Sequence, residues 1–226
     1  MIYALYGFLL GIIIPYMSRR FAKFMPATPA YALYRLIKPN KKVKGLKADL
    51  NLRYNKLKKQ YFYRSLVYGL VCAGLSFLAF WRLGEAYLGW YIMLIWGLLL
   101  LSEIDIKMLL LPDIVTIPLL LCGFVYATFI GENISIEEST IGAVVGYVLP
   151  VIATLMMLWK SVDAFGGGDI KLLAVLGAWL GVEGVVYTIL LSCVIFGIYS
   201  AVKRQRAGAF GPSLAVAAII ILLTIF

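Results

Sequence analysis

The sequence predicts an all-α, polytopic integral membrane protein with about eight transmembrane helices. Three observations carry this expectation. Of 226 residues, 63% are hydrophobic and 14% charged, with no histidine; a soluble domain of this size exposes far more charge. Apolar segments recur along the whole chain, most of them close to the roughly 20 residues that cross a bilayer. The basic residues also fall on alternate connections between those segments, as the positive-inside rule requires.

The segments are read at residues 2–17, 65–81, 87–104, 114–131, 140–159, 170–182, 185–202 and 209–226. The first has no charged n-region before it, so it reads as a retained helix and not a cleavable signal. The sixth is the short one. Its 13 residues make about 20 Å of helix against a hydrocarbon core of about 30 Å, so it is either a short span or a re-entrant segment.

Charge decides between these. If all eight segments cross, one side receives residues 19–64, Lys107, Lys160, Lys171, Lys203, Arg204 and Arg206, which together hold 20 of the 21 basic residues. The other side receives Arg82 with Glu85, Glu132, Glu137, Glu138 and Glu183. The basic side is then cytoplasmic. Were the sixth segment not to cross, the basic cluster at 203–206 would fall outside. Eight spans in the cytoplasmic (inner) membrane, with both termini outside, is the expected topology.

Cys72, Cys122 and Cys193 all lie inside apolar runs. None has the paired spacing of a zinc site or a disulfide framework, and they read as small packing residues. With no histidine and no cysteine pair, no metal site is expected.

The stretch of most chemical interest is Phe165-Gly166-Gly167-Gly168-Asp169-Ile170-Lys171. It places a carboxylate after three glycines at the mouth of an apolar helix. Ionisable residues at membrane depth usually mark function, and glycine is a poor choice for a helix that needs only to span. A second carboxylate, Asp105, lies 64 residues upstream in Ser102-Glu103-Ile104-Asp105-Ile106-Lys107, also where an apolar run ends. Eight spans put both aspartates at the cytoplasmic edge, with Glu103, Asp113 and Asp163 nearby. Alone, each of those three acids reads as a solvated loop charge.

Residues 19–64 carry 14 Lys or Arg and one acid, Asp49. Within them Leu46, Leu50, Tyr54, Leu57 and Tyr61 recur at helical spacing, with lysines and arginines mostly elsewhere on the wheel. A basic amphipathic helix of this kind is expected to contact anionic lipid. Topology already accounts for the charge, so no nucleic-acid partner is expected.

Three stretches resemble the type IV prepilin leader peptidases, membrane aspartic proteases with a G-x-G-D motif. The first runs from Asp105 through Leu111-Pro112-Asp113 to Thr116 and Pro118. The second runs from Gly166-Gly167-Gly168-Asp169-Ile170-Lys171 to Gly181, and the third is Phe210-Gly211-Pro212. The likeness covers roughly residues 95–220. It divides the chain into residues 1–64, a first helix with a basic cytoplasmic loop, and residues 65–226, a membrane protease domain. Many family members carry a zinc loop of two cysteine pairs after the first helix, and a Gly-Ser-Phe-Leu-Asn stretch within that helix. Here the helix reads Gly11-Ile12-Ile13-Ile14-Pro15-Tyr16, and no cysteine lies between the first and second segments. The N-methyltransferase activity of the bifunctional members is therefore not carried over, and no cofactor is expected.

The resemblance implies an aspartate dyad of Asp105 and Asp169. One carboxylate takes a proton from water while the other, protonated, polarises the scissile carbonyl. Two close carboxylates do not both ionise easily, so the pair titrates in separated steps. Asp169 at a helix N-terminus is favoured as the charged base, which leaves Asp105 as the acid. Gly166, Gly167 and Gly168 would let an extended substrate lie against the backbone, with Asp113 and Lys171 as further substrate-side residues. For Lys171, anchoring at headgroups is the favoured reading, since lysines near helix ends commonly snorkel. The implied substrate is a pilin-like or pseudopilin precursor of a pilus or type II secretion pathway, cut between its basic leader and its apolar helix. Two rivals remain. A proton-coupled transporter would place acids near mid-span within repeated halves, and no repeat is found. A non-catalytic subunit of a pilus or secretion assembly would leave the acids inert.

Overall fold

The computed structural model describes residues 2–23, 48–85, 87–130, 133–158, 166–204 and 208–225. Among them the chain is entirely helical: α1 (Ile2–Lys23), α2 (Ala48–Leu83), α3 (Leu88–Met108), α4 (Asp113–Phe129), α5 (Ile136–Leu158), α6 (Gly167–Lys203) and α7 (Gly211–Ile225). Five of these are long and apolar enough to cross a membrane, and α4 and α7 are shorter apolar helices. Trp81, Phe129, Leu155 and Val202 are among many large apolar side chains left exposed, as expected for faces turned to lipid.

The chain divides into two compact units, Met1–Leu78 and Ala79–Phe226, and the division falls inside α2. In the first unit α1 runs antiparallel to α2. Gly7 lies against Cys72 and Ser76, and Gly11 against Tyr68 and Gly69. The Arg19 guanidinium sits 4.5 Å from the centre of the Tyr61 ring. Residues 19–64 are thus not a loop throughout. α1 continues to Lys23, and the helical spacing read over residues 46–61 is realised from Ala48 as the start of α2. The stretch 24–47 lies outside the described residues.

The second unit is built around Trp179, which is fully buried. Its indole N–H donates to the Leu119 carbonyl at 2.8 Å, and its ring stacks on Tyr126 with centroids 5.6 Å apart. Gly123 gives the indole room, since a Cβ there would stand 2.9 Å from two ring atoms. The Tyr126 hydroxyl meets that of Tyr91 at 2.6 Å, tying α3 to α4. On α5, Gly142 and Gly146 lie against the backbone of α6 at Gly177, Gly181 and Leu173. Small residues four apart permit this close helix approach. α5 itself begins a turn before the apolar segment read from residue 140, and it opens on a capping box: Ser135 N–H donates to Glu138 Oε2 at 2.9 Å, and Glu138 N–H donates to Ser135 Oγ at 3.2 Å. Two orphan amides of the first turn are satisfied in this way.

The sixth and seventh segments form one helical run, α6, broken at Gly181 with φ 69° and ψ −173°. Positive φ suits glycine. The run folds back there. Gly168 lies against Leu111 near the end of α3, while Phe196 packs edge-to-face on Phe210, centroids 5.3 Å apart, next to Gly211, which bonds Asp105. Residues 168 and 196 are therefore at the same end of the unit, although a straight helix would separate them by about 42 Å. The first arm, 167–180, is about 20 Å long.

Candidate active site

Asp105 lies on the last turn of α3, a helix apolar on every side and buried from Leu98 to Asp105 apart from Leu99. The helix ends when Leu109 adopts a left-handed conformation, φ 52°, and its N–H donates to the Asp105 carbonyl at 2.8 Å. Leu110, Leu111 and Pro112 then cross to α4. Pro112 is extended, cannot donate an N–H, and caps α4 by accepting from Val115 at 3.0 Å; it thereby sets the entry to the next helix. The Asp105 side chain is buried, at 5% exposure, and its Oδ2 accepts from the Gly211 N–H at 2.9 Å.

Asp169 lies in the first turn of α6, capped by Gly166 with φ −68° and ψ 147°. The Gly166 carbonyl accepts from Ile170 at 3.2 Å. Asp169 is half-buried and close enough to Asp105 for the two charges to act on one another. Helix start and helix end thus bring together two acids that are 64 residues apart in sequence.

The three glycines do different work. A Cβ on Gly168 would stand 2.9 Å from Leu111 Cβ and 3.4 Å from its amide nitrogen. Gly168 is therefore a contact that seats α6 on the α3–α4 connection. Gly166 and Gly167 are exposed. A Cβ on Gly166 would lie 3.1 Å from Asp169 Oδ2, whereas one on Gly167 would meet nothing within 4 Å.

Lys171 has a protein partner as well as a position suited to headgroups. Its ammonium donates to both Asp113 oxygens, at 2.7 and 2.9 Å. The pair ties the start of α4 to the start of α6. Both side chains are about half exposed. Glu103 is buried, at 3% exposure, and pairs with Lys107 one turn on at 2.7 Å. Its charge is thus met by a lysine of its own helix. Asp163 lies outside the described residues.

Phe210-Gly211-Pro212, the third stretch of the resemblance, opens α7, and nothing in the sequence links it to Asp105. No spacing rule relates a glycine to a carboxylate 106 residues away. The structure also removes one argument about roles. Asp105 meets the N-terminus of α7 as well as the C-terminal end of its own helix, while Asp169 sits at the N-terminus of α6, so a helix N-terminus is not Asp169's alone and the pair is treated as one unit.

Residues 92–201 match the type IV leader peptidase family. Among similar proteins is the prepilin leader peptidase/N-methyltransferase of Stutzerimonas stutzeri, 40% identical over 163 residues, which are 68% of this chain and 56% of that protein. The protein of that name from Pseudomonas aeruginosa is 38% identical over the same shares. That from Pseudomonas putida is 38% identical over 155 residues, 65% of this chain and 54% of its own length. The alignments span about half the length of these curated relatives. No solved structure matches. The segment at residues 92–201, which holds both aspartates, belongs to the type IV leader peptidase family.

Proposed function

We propose that this chain is a membrane aspartic endopeptidase that removes the basic leader from pilin-like precursors at the cytoplasmic edge of the bilayer. The observation that carries the proposal is that Asp105 and Asp169 lie at the same end of the helical unit, close enough for their charges to interact, one on a helix end and the other on a helix start. In such a pair one carboxylate takes a proton from water, whose oxygen attacks the scissile carbonyl carbon. The other, protonated, donates to the carbonyl oxygen. The tetrahedral intermediate then collapses, the C–N bond breaks, and a proton passes to the departing amine. Each proton-transfer role contributes about 10²–10⁴-fold. Gly166 and Gly167 leave bare backbone beside the acids for an extended segment to approach.

The test is a membrane incubation with a pilin-like precursor, following loss of the leader. Asp105→Asn and Asp169→Asn each lower the rate by about 10²-fold or more while the protein stays folded and inserted. The double variant is hardly slower than either single one, because residues acting together are strongly non-additive. Near wild-type processing by either single variant refutes the dyad and favours a non-catalytic assembly subunit.

A further inference from the structure

Asp105 is poorly served by its own helix, since a carboxylate in the last turn faces the negative end of the helix dipole. α7 supplies what α3 does not. In the first turn of α7 the Phe210 carbonyl accepts from Ser213 at 3.0 Å and Leu214 at 3.1 Å, and Pro212 has no N–H to offer. The Gly211 amide is left to an acceptor outside the helix. It goes to Asp105 Oδ2 at 2.9 Å, in a buried setting. The same position admits no side chain. A Cβ on Gly211 would stand 2.7 Å from Asp105 Oδ2, 3.2 Å from Cγ and 3.3 Å from Cβ.

We propose that Gly211 is a positioning residue of the active site. Its N–H holds Oδ2 of Asp105, so that the other oxygen, Oδ1, is the one that exchanges a proton with water or substrate. The absent side chain lets α7 close on the carboxylate without displacing it. Of the Phe-Gly-Pro stretch, glycine is then required for the geometry of the acid, and proline for keeping a rival donor out of the same turn. The proposal rests on Asp105 being half of the catalytic pair, but the contact itself is tested without activity.

The experiment uses the full chain in detergent with the variants Gly211→Ala, Asp105→Ala, their double, and Val216→Ala as a control on an exposed position of the same helix. Gly211→Ala lowers the thermal midpoint where Asp105 is present and has little effect in the Asp105→Ala background, because the two nearest atoms it would meet, Oδ2 and Cγ, are gone and only Cβ, at 3.3 Å, remains. If Gly211→Ala alone does not accumulate folded, recovery of folded protein in the double variant supports the contact, and failure to recover overturns it. On a pilin-like precursor, Gly211→Ala lowers kcat by about 10- to 100-fold with KM nearly unchanged, the loss expected for misplacing a reacting group by up to 1 Å. It also displaces the midpoint of the pH–rate profile. Val216→Ala changes none of these. Equal thermal loss in both backgrounds, or Gly211→Ala with wild-type kcat and pH profile, overturns the proposal. Wild-type activity in Asp105→Asn instead refutes the dyad while leaving the thermal result to decide the contact.

Discussion

Replacing each of two neighbouring glycines by alanine separates the packing of the candidate active site from its openness. In Gly168→Ala the new methyl group would stand 2.9 Å from Leu111 Cβ, about 0.5 Å inside the 3.4 Å at which ordinary contact begins. The atom it meets is the first carbon of a side chain, close to its own backbone, so no flexible end can swing aside. The N-terminus of α6 must lift from the α3–α4 connection, or that connection must yield. Asp169 belongs to the first of these and Asp105 immediately precedes the second, so the separation falls directly on the pair. A 1 Å misplacement of reacting groups costs about 10²-fold, so a shift near half of that predicts a fall of about 10-fold in the cleavage rate. Overpacking of this kind costs about 1–3 kcal/mol in stability. Gly167→Ala adds the same methyl group where nothing lies within 4 Å, so its thermal midpoint stays near that of wild type, and any loss of rate comes from the methyl group narrowing the approach of an extended substrate, without loss of stability. The assay is leader removal from a precursor in proteoliposomes, with thermal midpoints measured in parallel. Equal thermal loss in the two variants, or greater thermal loss in Gly167→Ala, refutes the packing argument.

Three further outcomes are expected. Lys171→Gln or Asp113→Asn lowers stability by less than about 1 kcal/mol, because both side chains are half exposed and such pairs are weak. If the pair also seats the two helix starts, the exchange Lys171→Asp with Asp113→Lys restores more activity than either single change retains; activity no better than the singles would exclude that role. A cysteine placed at position 205, with Cys72, Cys122 and Cys193 replaced, reacts with an impermeant thiol reagent only after the membrane is opened; labelling from outside intact cells rules out the eight-span topology built on the 20-to-1 charge split. A processed precursor, made with purified protein and S-adenosylmethionine, has the mass of the cleaved chain alone; a gain of one methyl group would show that residues 1–91 carry a transferase function.

The G-x-G-D spacing becomes intelligible in these terms. Its outer glycines, Gly166 and Gly168, are the two whose Cβ would crowd Asp169 and Leu111, and its free position is Gly167, beside open space.

Much was legible from the chain alone because the causes are local or compositional. Apolar length determines where helices form in a bilayer, lysine and arginine counts orient them, and an acid at the end of an apolar run is conspicuous because burying it is costly. From these came the all-helical class, the positions of the segments, and Asp105 and Asp169 as the pair worth bringing together. What tertiary structure decided was everything resting on approach between distant segments. It folded α6 back at Gly181, gave Lys171 to Asp113, covered Gly168 with Leu111, and brought the Gly211 amide to Asp105. Hydropathy is the sum of each residue's own transfer free energy and carries no term for which helix faces which. A glycine in sequence records only that a side chain is missing, and the neighbour that needs its absence is known only when the helices are packed.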